Sequence, residues 1–526
     1  MSRGAAGAPL LIVLPHGLNV SGVAMWAVRL AGELGRAGRT TGLVLHREPE
    51  GQKRLDAELS GVTRVFDVSH LPPIETCGGE LAPYVNAYRS AVDELGRLAG
   101  DSASPVVISP NLLGDCYGAG AMLAAEAPAR YRLVGWQHSD IAYDTAVLGY
   151  YEPVLSRLVG VSDAIISRLG AAMPGRREKV VNIPYGVPVP EAVPIRRTPS
   201  ETGEVRLVYT GRLEHAQKRI GALPLLSDEL ARRGVRHRLT LVGDGPAATE
   251  MDAAAAVREG RLFRRPALSP MEVEHELDRS HALVLASRYE GLSVSMLEAM
   301  ARGCVPVATR VASGAAQAVD DGVNGLLAYA DADASEQETA SALADSVERL
   351  IGSDGLAMSV GAWERVRDRF SLASHSLKVG VMIDAVASGP ALGGGWPAGK
   401  RFAFTGSLGA GTVPADGGAR IEAVLSRLAG RRIVLHGAGR HTVELASAIR
   451  AAVSAYGVEI VAVCEDDKAR LGGRVGTWPI IDPWAASESG ATDVVLSSWL
   501  HEAAIWARRA VYEQQGMRVW RVYGGE

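Results

Sequence analysis

The chain has few cysteines, and their wide separation argues against a disulfide-rich domain and against a zinc-binding domain. Four occur in 526 residues, Cys77, Cys116, Cys304 and Cys464, far apart and without metal-ligand spacing. The spacing indicates neither a disulfide framework nor a zinc site. We therefore expect a cytoplasmic protein without a bound metal.

An excess of charge of either sign is also lacking. The formal net charge is -4 and the isoelectric point is about 6.3. Such a balance provides no overall basic field for holding a nucleic acid or an anionic membrane. We predict no nucleic-acid partner, although a local patch could still touch a membrane surface.

Long hydrophobic runs are absent near the N-terminus. The longest uncharged stretch there, Leu10 to Val28, is interrupted by polar and helix-breaking residues, namely Pro15, His16, Gly17, Asn19 and Gly22. A membrane span or a signal sequence does not normally carry these. We expect no transmembrane or targeting segment.

The chain is long enough for several hydrophobic cores, and three places resemble the start of a domain. In each, a short apolar run leads into a glycine-bearing turn and then a helical pattern: "PLLIVLPHGLNVSG", "VRLVYTGRLEHAQKR" and "RRIVLHGAGRHTVEL". Continuous apolar runs are typical of parallel strands that are buried on both faces. The sequence therefore predicts three doubly wound α/β domains.

Composition suggests where these domains end. A Pro- and Arg-rich stretch near 193–204 and the Gly/Pro-rich "ASGPALGGGWPAG" read as linkers. We predict domains at 1–195, 203–385 and 401–526, with a linker at 386–400. The last helix of the second domain is a candidate to cross back to the first.

Two glutamates, Glu290 and Glu298, flank a turn at the mouth of a predicted helix in "RYEGLSVSMLEAMARG". Ser293 is placed to cap this helix, whose N-terminus could hold a phosphate. Glu290 could then accept bonds from sugar hydroxyls, and Glu298 could bind a vicinal diol such as ribose. Solvent-exposed charge on an amphipathic helix is the alternative.

Cations follow another predicted strand in "TGRLEHAQKRI", which contains Gly211, Arg212, Lys218 and Arg219. Ligands of open α/β sheets bind at such strand ends. Only six of the 55 basic residues are lysines, which makes a lysine in this loop notable. In "LVGDGP", Gly243 either forms a tight turn or lets the backbone approach a ligand.

Several of these motifs occur in the order of a known family. "GRLEHAQK", "LVGDGP", "ASRYEGLSVSMLEAMARGCVPVAT" and "DDGVNGLL" resemble the C-terminal half of retaining GT-B glycosyltransferases of the glycosyltransferase 4, or glycosyl transferases group 1, type. The resemblance implies two Rossmann-like domains facing a cleft, with the third Rossmann-like domain appended. It also implies a nucleotide-diphosphate sugar, UDP- or GDP-linked, as donor.

The resemblance assigns roles to individual residues. Arg212 and Lys218 would neutralise the departing diphosphate. Glu290 would bind the donor sugar together with the backbone of Gly291, Leu292 and Ser293, and Glu298 would bind the ribose. The spacing from Arg212 to Lys218 is one residue longer than usual, so Arg219 is a second candidate for the lysine's role.

The N-terminal half resembles the family more loosely. Gly22 stands in a partly matching glycine-rich loop, and His138 in "LVGWQHSDIAY" matches a histidine that touches the donor sugar. Phe263 and Arg264 are candidates to flank the base. The acceptor, whether glycan, lipid or small molecule, is not indicated.

The third domain carries a partial dinucleotide-binding pattern. Gly437 and Gly439 would form the tight turn, Thr442 replaces the last glycine, and Glu465 or Asp466 could reach a ribose. The domain resembles small modules appended to sugar-modifying and methyl-transfer enzymes. A structural or regulatory role is the alternative.

Three functions remain open at this point. The first is a retaining glycosyltransferase that needs no cofactor. The second is a redox enzyme that binds NAD in its third domain, and the third is a non-catalytic protein that binds sugar nucleotides.

Overall fold

The computed structural model describes residues 7–48, 54–55, 58–74, 77, 79–194, 203–311, 314–392, 395–404, 417–437, 441–442, 445–466, 471–498 and 502–523. The chain divides into two compact units, Met1–Thr405 and Gly406–Glu526. Within the described ranges, no helix is both long enough and apolar enough to cross a membrane.

A seven-stranded parallel sheet forms the first domain of the first unit. Its strands are β1 (Leu10–Leu14), β2 (Thr41–Leu45), β3 (Arg64–Asp67), β4 (Val106–Ser109), β5 (Tyr131–Gln137), β6 (Leu155–Gly160) and β7 (Val180–Asn182). They lie in the order β3-β2-β1-β4-β5-β6-β7. Strands β1, β2, β4 and β5 are buried along their whole length, as their continuous apolar runs predict.

Helices connect these strands and cover the sheet. They are α1 (Gly22–Arg36), α2 (Ala82–Leu98), α3 (Gly114–Glu126), α4 (Ala142–Tyr151) and α5 (Asp163–Ala172). Helix α1 begins in the loop after β1, where the Ser21 hydroxyl accepts a hydrogen bond from the Ala24 amide at 3.2 Å. This cap fixes the start of the helix beside the strand ends.

The second domain repeats the arrangement with six parallel strands. They are β8 (Val205–Thr210), β9 (His237–Val242), β10 (Leu262–Arg265), β11 (Ala282–Leu285), β12 (Val305–Thr309) and β13 (Leu326–Ala328), in the order β10-β9-β8-β11-β12-β13. Its helices are α6 (Ala222–Arg232), α7 (Ala248–Val257), α8 (Pro270–Arg279), α9 (Val294–Ala301), α10 (Ala315–Ala318), α11 (Glu336–Ile351) and α12 (Gly355–Arg369).

Both sheets have a point where the strand order reverses. It lies between β1 and β4 in the first sheet and between β8 and β11 in the second. Open α/β sheets bind ligands in the crevice beyond the carboxyl ends of the strands at such a point. The loops that begin α1 and α9 both start there.

The chain returns to the first domain through helix α13 (Leu372–Ser388), which packs against α1. The Trp26 indole donates a hydrogen bond to Nε2 of His375 at 2.9 Å, and Arg39 pairs with Asp384 at 2.8 Å. The predicted linker 386–400 begins inside this helix. The predicted boundary near 193–204 lies mostly outside the described residues.

Residues 395–404, here called the strap, lie on helices α3 and α4. The Trp396 and Phe402 rings stack at 4.9 Å, and the Phe402 carbonyl accepts a bond from the Tyr151 hydroxyl at 2.5 Å. The Phe404 amide donates to Asp115 at 3.2 Å. A Gly/Pro-rich stretch therefore packs here through the aromatic residues beside it.

The second unit has a third sheet, built from β14 (Arg432–His436), β15 (Glu459–Cys464), β16 (Arg474–Val475), β17 (Trp478–Ile481), β18 (Asp493–Leu496) and β19 (Arg518–Arg521). Its order is β16-β17-β15-β14-β18-β19, and only β16 and β17 pair antiparallel among these strands. The helices are α14 (Gly417–Arg427), α15 (Ala446–Tyr456), α16 (Glu502–Ala507) and α17 (Ala510–Glu513).

Alternate residues of β14 belong to different cores. Ile433 and Leu435 lie in one hydrophobic cluster, whereas Val434 lies in another. Because successive strand residues point to opposite faces, both faces of this sheet are covered. The second unit is thus an α/β structure with a mainly parallel sheet, and its identity as an appended Rossmann-like domain stays a prediction.

We predict that the stability of the first unit falls with decreasing pH. Burial lowers the pKa of His46 and His375 to about 4 and that of His138 to about 3. Their stabilising contribution is complete above the unfolded pKa of about 6.5, because the unfolded chain takes up protons below it. Each histidine should cost about 1.4 kcal/mol of stability per pH unit below that value, until the pH reaches its folded pKa.

Denaturant unfolding of wild type and His375→Gln between pH 7.5 and 4.5, followed by tryptophan fluorescence, checks this prediction. Glutamine can accept the Trp26 hydrogen bond but does not titrate. The free energy of unfolding of the variant should therefore depend less steeply on pH, by the uptake of roughly one proton. Identical slopes of unfolding free energy against pH for the two proteins would contradict the prediction.

Candidate active site

Two loops build the candidate site in the second domain. One follows β8 and carries the basic residues, and the other follows β11 and carries "RYEGLS". Strands β8 and β11 are hydrogen-bonded neighbours at the point where the strand order reverses. The loops therefore meet although about 70 residues separate them in sequence.

Glu290 is the centre of a polar cluster. Its Oε1 accepts hydrogen bonds from Lys218 Nζ at 2.5 Å and from the Ser287 hydroxyl at 2.7 Å. Its Oε2 accepts a longer bond from Gln217 Nε2 at 3.4 Å. Glu290 and Lys218 are mostly buried, with side-chain exposures of 12% and 18%. Ser287 and Gln217 carry no motif signal, and sequence reasoning missed them.

The turn after Glu290 leads into helix α9. Ser293 is the N-cap, and its hydroxyl accepts a bond from the Met296 amide at 3.3 Å. The predicted cap is thus confirmed. The amides of the first turn, at the positive end of the helix dipole, lie beside Glu290 and Lys218.

The start of α1 in the first domain faces the start of α9. A Cβ placed on Gly22 would lie 3.5 Å from Val294 Cγ2, in ordinary contact. Gly22 is the first residue of α1 and Val294 the first of α9. Two positive helix ends therefore meet across the cleft between the domains.

Gly291 of the second domain lies close against the first domain in this cleft. A Cβ on Gly291 would lie 2.0 Å from the His138 carbonyl oxygen and 3.2 Å from Val161 Cγ2. No side chain fits in that space. The backbone of Gly291 thus lies directly against the loop that follows β5.

The His138 ring is engaged inside the first domain. Its Nε2 lies 2.8 Å from Asn111 Oδ1 and its Nδ1 lies 2.6 Å from the Tyr185 hydroxyl. The Asn111 amide nitrogen already donates to two carbonyls, at 2.9 and 3.0 Å, so its oxygen accepts the proton of His138 Nε2. Nδ1 then accepts from Tyr185.

Both nitrogens of His138 are therefore occupied, and burial lowers its pKa to about 3. The ring is neutral at physiological pH and has no proton to give to a ligand. What His138 presents to Gly291 is its carbonyl oxygen. The His138 ring thus faces Asn111 and Tyr185, and its expected contact with a donor sugar stays a prediction.

Glu298 also has a partner from the first domain. Its Oε1 lies 2.6 Å from Arg29 Nη1, and the side chains are 23% and 15% exposed. Arg29 follows Gly22 by two helical turns on the same face of α1. No local pattern marked Arg29, because its partner lies in a different domain.

The three basic residues of the loop after β8 differ in their surroundings. Arg212 is exposed, and Lys218 pairs with Glu290. Arg219 is fully buried, and its guanidinium donates to Thr339 and to the carbonyls of Asp331 and Ala332. Arg219 therefore does not share the role expected of Lys218.

The glycines of the two neighbouring loops permit backbone contact. A Cβ on Gly243 would lie 1.9 Å from the Gly211 carbonyl oxygen, so any side chain there would push the two loops apart. Their demonstrated role is the packing of these loops. Direct donor binding by either glycine stays a prediction.

Phe263 and Arg264, expected to flank a base together, point in opposite directions as neighbours in a strand. The Phe263 ring lies 3.9 Å from the Arg238 guanidinium carbon. Arg264 pairs with Asp244 and donates to the Gly243 carbonyl at 3.2 Å. The two side chains are therefore not brought together.

In the second unit, residues of the predicted dinucleotide-binding turn form hydrogen bonds within their own domain. The Thr442 hydroxyl donates to the Gly437 carbonyl and lies 2.7 Å from the Ser497 hydroxyl. Glu465 accepts a bond from the Asp466 amide at 3.0 Å, and Asp466 pairs with Arg508 at 2.7 Å. The predicted Gly439 lies outside the described residues.

Metal ligation was not expected for this protein. Among the residues that the structure describes, no group of three or more His, Cys, Asp or Glu side chains is arranged to hold a metal ion.

Gly291→Ala should weaken the contact between the two domains. The added methyl group would collide with the His138 carbonyl, and Gly291 lacks the positive φ that would strain alanine by itself. We expect the free energy of unfolding to fall by about 1–3 kcal/mol, the usual cost of overpacking. Gly175→Ala, which meets no atom within 4 Å, is the matched control. Equal thermal unfolding midpoints for both variants would contradict the prediction.

Arg219→Ala should destabilise the second domain by about 2–4 kcal/mol, because it removes a buried group and leaves buried acceptors unpaired. Arg212→Ala, in the same loop but exposed, should change stability by less than about 0.5 kcal/mol. Urea unfolding of both variants measures the difference. A similar small effect for both would show that the Arg219 contacts are dispensable.

Comparison with known proteins supports the relation suggested by these motifs. Residues 204–353 match the family described as Glycosyl transferases group 1. A putative glycosyltransferase of Bacillus subtilis (strain 168), EpsF, is 33% identical over 135 residues, which are 24% of this chain. The match spans about a third, 35%, of that relative.

Solved structures resemble this chain at low sequence identity. Sucrose-phosphate synthase from Thermosynechococcus elongatus has a TM-score of 0.55 at 17% identity, covering 71% of this chain and 98% of its own. Anabaena HepE, solved with UDP and glucose, has a TM-score of 0.54 at 18% identity, covering 72% and 100%. The pneumococcal O-GlcNAc transferase GtfA has a TM-score of 0.56 at 11% identity, covering 73% and 100%.

These likenesses confirm the predicted fold class, an α/β protein whose parallel-sheet domains resemble those of GT-B glycosyltransferases. The match over residues 204–353 covers β8 to β13 and the loops that hold Arg212, Lys218 and Glu290. The chain therefore contains a glycosyl transferases group 1 domain within a GT-B-like fold.

Proposed function

We propose that the protein is a retaining glycosyltransferase that transfers a sugar from a UDP- or GDP-linked donor to a hydroxyl-bearing acceptor. One observation carries the proposal. The Glu290–Lys218 pair lies on the loop that leads into α9, and the start of α9 meets the start of α1 from the other domain. Sugar-binding and anion-binding groups thus share one cleft.

The two helix ends form a suitable place for the donor diphosphate. Each N-terminus carries roughly half a positive charge, and two such ends in contact repel one another. A diphosphate between them would remove the repulsion and accept bonds from backbone amides. Arg212, on the adjacent loop, would add a full positive charge.

Lys218 and Glu290 would separate their tasks when the donor binds. Lys218 would turn from the carboxylate to a phosphate oxygen, while Glu290 would accept bonds from sugar hydroxyls near the anomeric carbon. The backbone of Gly291, Leu292 and Ser293 would hold the sugar against this carboxylate. His138 would contribute its carbonyl oxygen, which already lies in the cleft.

During transfer, the bond between the anomeric carbon and the phosphate oxygen breaks, and the nucleoside diphosphate leaves with the bonding electrons. The acceptor oxygen forms the new bond to the anomeric carbon and passes its proton to an oxygen of the departing diphosphate. Arg212, Lys218 and the helix ends would stabilise the departing charge, each donor contributing about 10²- to 10³-fold in rate. With these cations in place, we propose that the reaction needs no metal ion.

Glu298 would bind the nucleotide ribose one turn into α9, and we assign Gly22 to the wall of the diphosphate site. Arg264 would contribute to the base site, whereas Phe263 faces Arg238 instead. The four cysteines are few and far apart in the sequence, which favours a reducing cytoplasm for the reaction.

The experiment follows release of nucleoside diphosphate from UDP-glucose, UDP-N-acetylglucosamine, UDP-galactose and GDP-mannose. We expect one donor to be turned over, with water as acceptor if no other is present. Glu290→Gln and Lys218→Met should each lower the rate by about 10²- to 10³-fold, measured at a temperature where thermal unfolding shows each variant to be folded.

Glu274→Gln is the matched control, since it removes a carboxylate of the same domain that pairs with Arg302 at 3.0 Å away from the cluster. It should keep the wild-type rate. A wild-type rate in Glu290→Gln would refute the proposed role of Glu290. An inverted anomeric centre in the first product, read by NMR, would refute retention.

A further inference from the structure

The ion pair between Arg29 and Glu298 joins the two domains inside the cleft. Arg29 lies on α1 of the first domain and Glu298 on α9 of the second, with Nη1 and Oε1 2.6 Å apart. Both side chains are largely shielded from water, at 15% and 23% exposure. Such shielding makes an ion pair stronger than one on the open surface.

The position of the pair follows from the helix contact. Gly22 and Arg29 are seven residues apart, so they share one face of α1, and Val294 and Glu298 are one turn apart on α9. Gly22 meets Val294 at the helix starts. Arg29 and Glu298 therefore meet deeper in the same interface.

The Glu298 carboxylate has a limited number of acceptor positions. A ribose binds a carboxylate most strongly when its two neighbouring hydroxyls each donate to one oxygen. Oε1 of Glu298 already accepts from Arg29 at 2.6 Å. A ribose and the Arg29 guanidinium thus have overlapping demands on one group.

We propose that Arg29 is a latch: it competes with the ribose of the donor for Glu298 and holds the two domains together until the donor displaces it. The proposal rests on the proposed function, because it takes Glu298 as the ribose-binding residue. It adds a residue of the first domain that sets nucleotide affinity without being part of the transfer reaction.

The latch has a consequence for nucleotide selectivity. A nucleotide with both ribose hydroxyls gains bonds to Glu298 but must break the Arg29 pair. A 2′,3′-dideoxy nucleotide does neither. Arg29 therefore reduces the preference for the ribose form, and its removal increases that preference. Any general effect of the arginine charge on phosphate cancels in the ratio of the two affinities.

The first experiment measures the binding of UDP, GDP and their 2′,3′-dideoxy analogues to the full chain by calorimetry. The variants are Arg29→Ala, Arg29→Lys and Glu298→Gln. The ratio of ribose to dideoxy affinity should rise by about fivefold in Arg29→Ala, the upper range for a partly exposed ion pair. The ratio should return toward the wild-type value in Arg29→Lys. It should fall strongly in Glu298→Gln, because the carboxylate that binds the ribose is lost.

Arg36→Ala is the matched control, because it removes an ion pair from the same helix, with Glu33 at 2.8 Å on the surface. Its affinity ratio should equal that of the wild type. An unchanged ratio in Arg29→Ala would overturn the latch.

A second measurement needs no nucleotide. Hydrogen–deuterium exchange of peptides covering 22–36 and 294–301 should increase in Arg29→Ala and in Glu298→Gln but not in Arg36→Ala. Unchanged exchange in the first two variants would overturn the latch by itself.

The two measurements separate failure of the latch from failure of the proposed function. If no nucleotide binds the wild type, the proposed donor is wrong, and the exchange result alone decides whether Arg29 holds the domains. If Glu298→Gln keeps the wild-type affinity ratio, Glu298 does not bind the ribose, and the competition is refuted with it.

Discussion

The cleft depends on the contact between the Gly291 backbone and the His138 carbonyl oxygen. A single methyl group at Gly291 would come within 2.0 Å of that oxygen. Because glycine allows this approach, the first turn of α9 reaches the first turn of α1, and Arg29 reaches Glu298. The position of the two helix ends and of the interdomain ion pair thus depends on one missing side chain.

The same contact gives the backbone of His138 a structural importance. Its ring is fixed by Asn111 and Tyr185 and stacks on Trp136 with centroids 6.0 Å apart. A ring held on both nitrogens determines where its own backbone lies. The histidine therefore shapes the cleft wall through its carbonyl, and its buried neutral state makes this geometry sensitive to acid.

Much of the fold could be predicted because parallel strands that are buried on both faces leave a strong sequence signal. The runs "LLIVL", "VRLVYT" and "RIVLH" are the strands β1, β8 and β14, and Ser293 caps its helix as its position suggested. These features depend on local sequence alone. Motif order brought Glu290 and Lys218 into one site, whereas their neighbours Ser287 and Gln217 were missed.

Other features depend on contacts that no local pattern reveals. Lys218 and Arg219 look alike in sequence, yet one faces Glu290 and the other is buried against the carbonyls of Asp331 and Ala332. Arg29 gained its role only through a partner in another domain. Residues 395–400 of the strap were predicted to be part of a linker, although Trp396 in this stretch stacks on Phe402.

The crossing of α13 also limits how the two domains can move. The chain passes between them twice, and the two passages are joined by a bridge between Val187 and Ser371. Arg39 and Asp384, together with Trp26 and His375, attach α13 to the first domain beyond this bridge. Because the two passages are joined at this bridge, we expect any rotation of one domain against the other to be centred there.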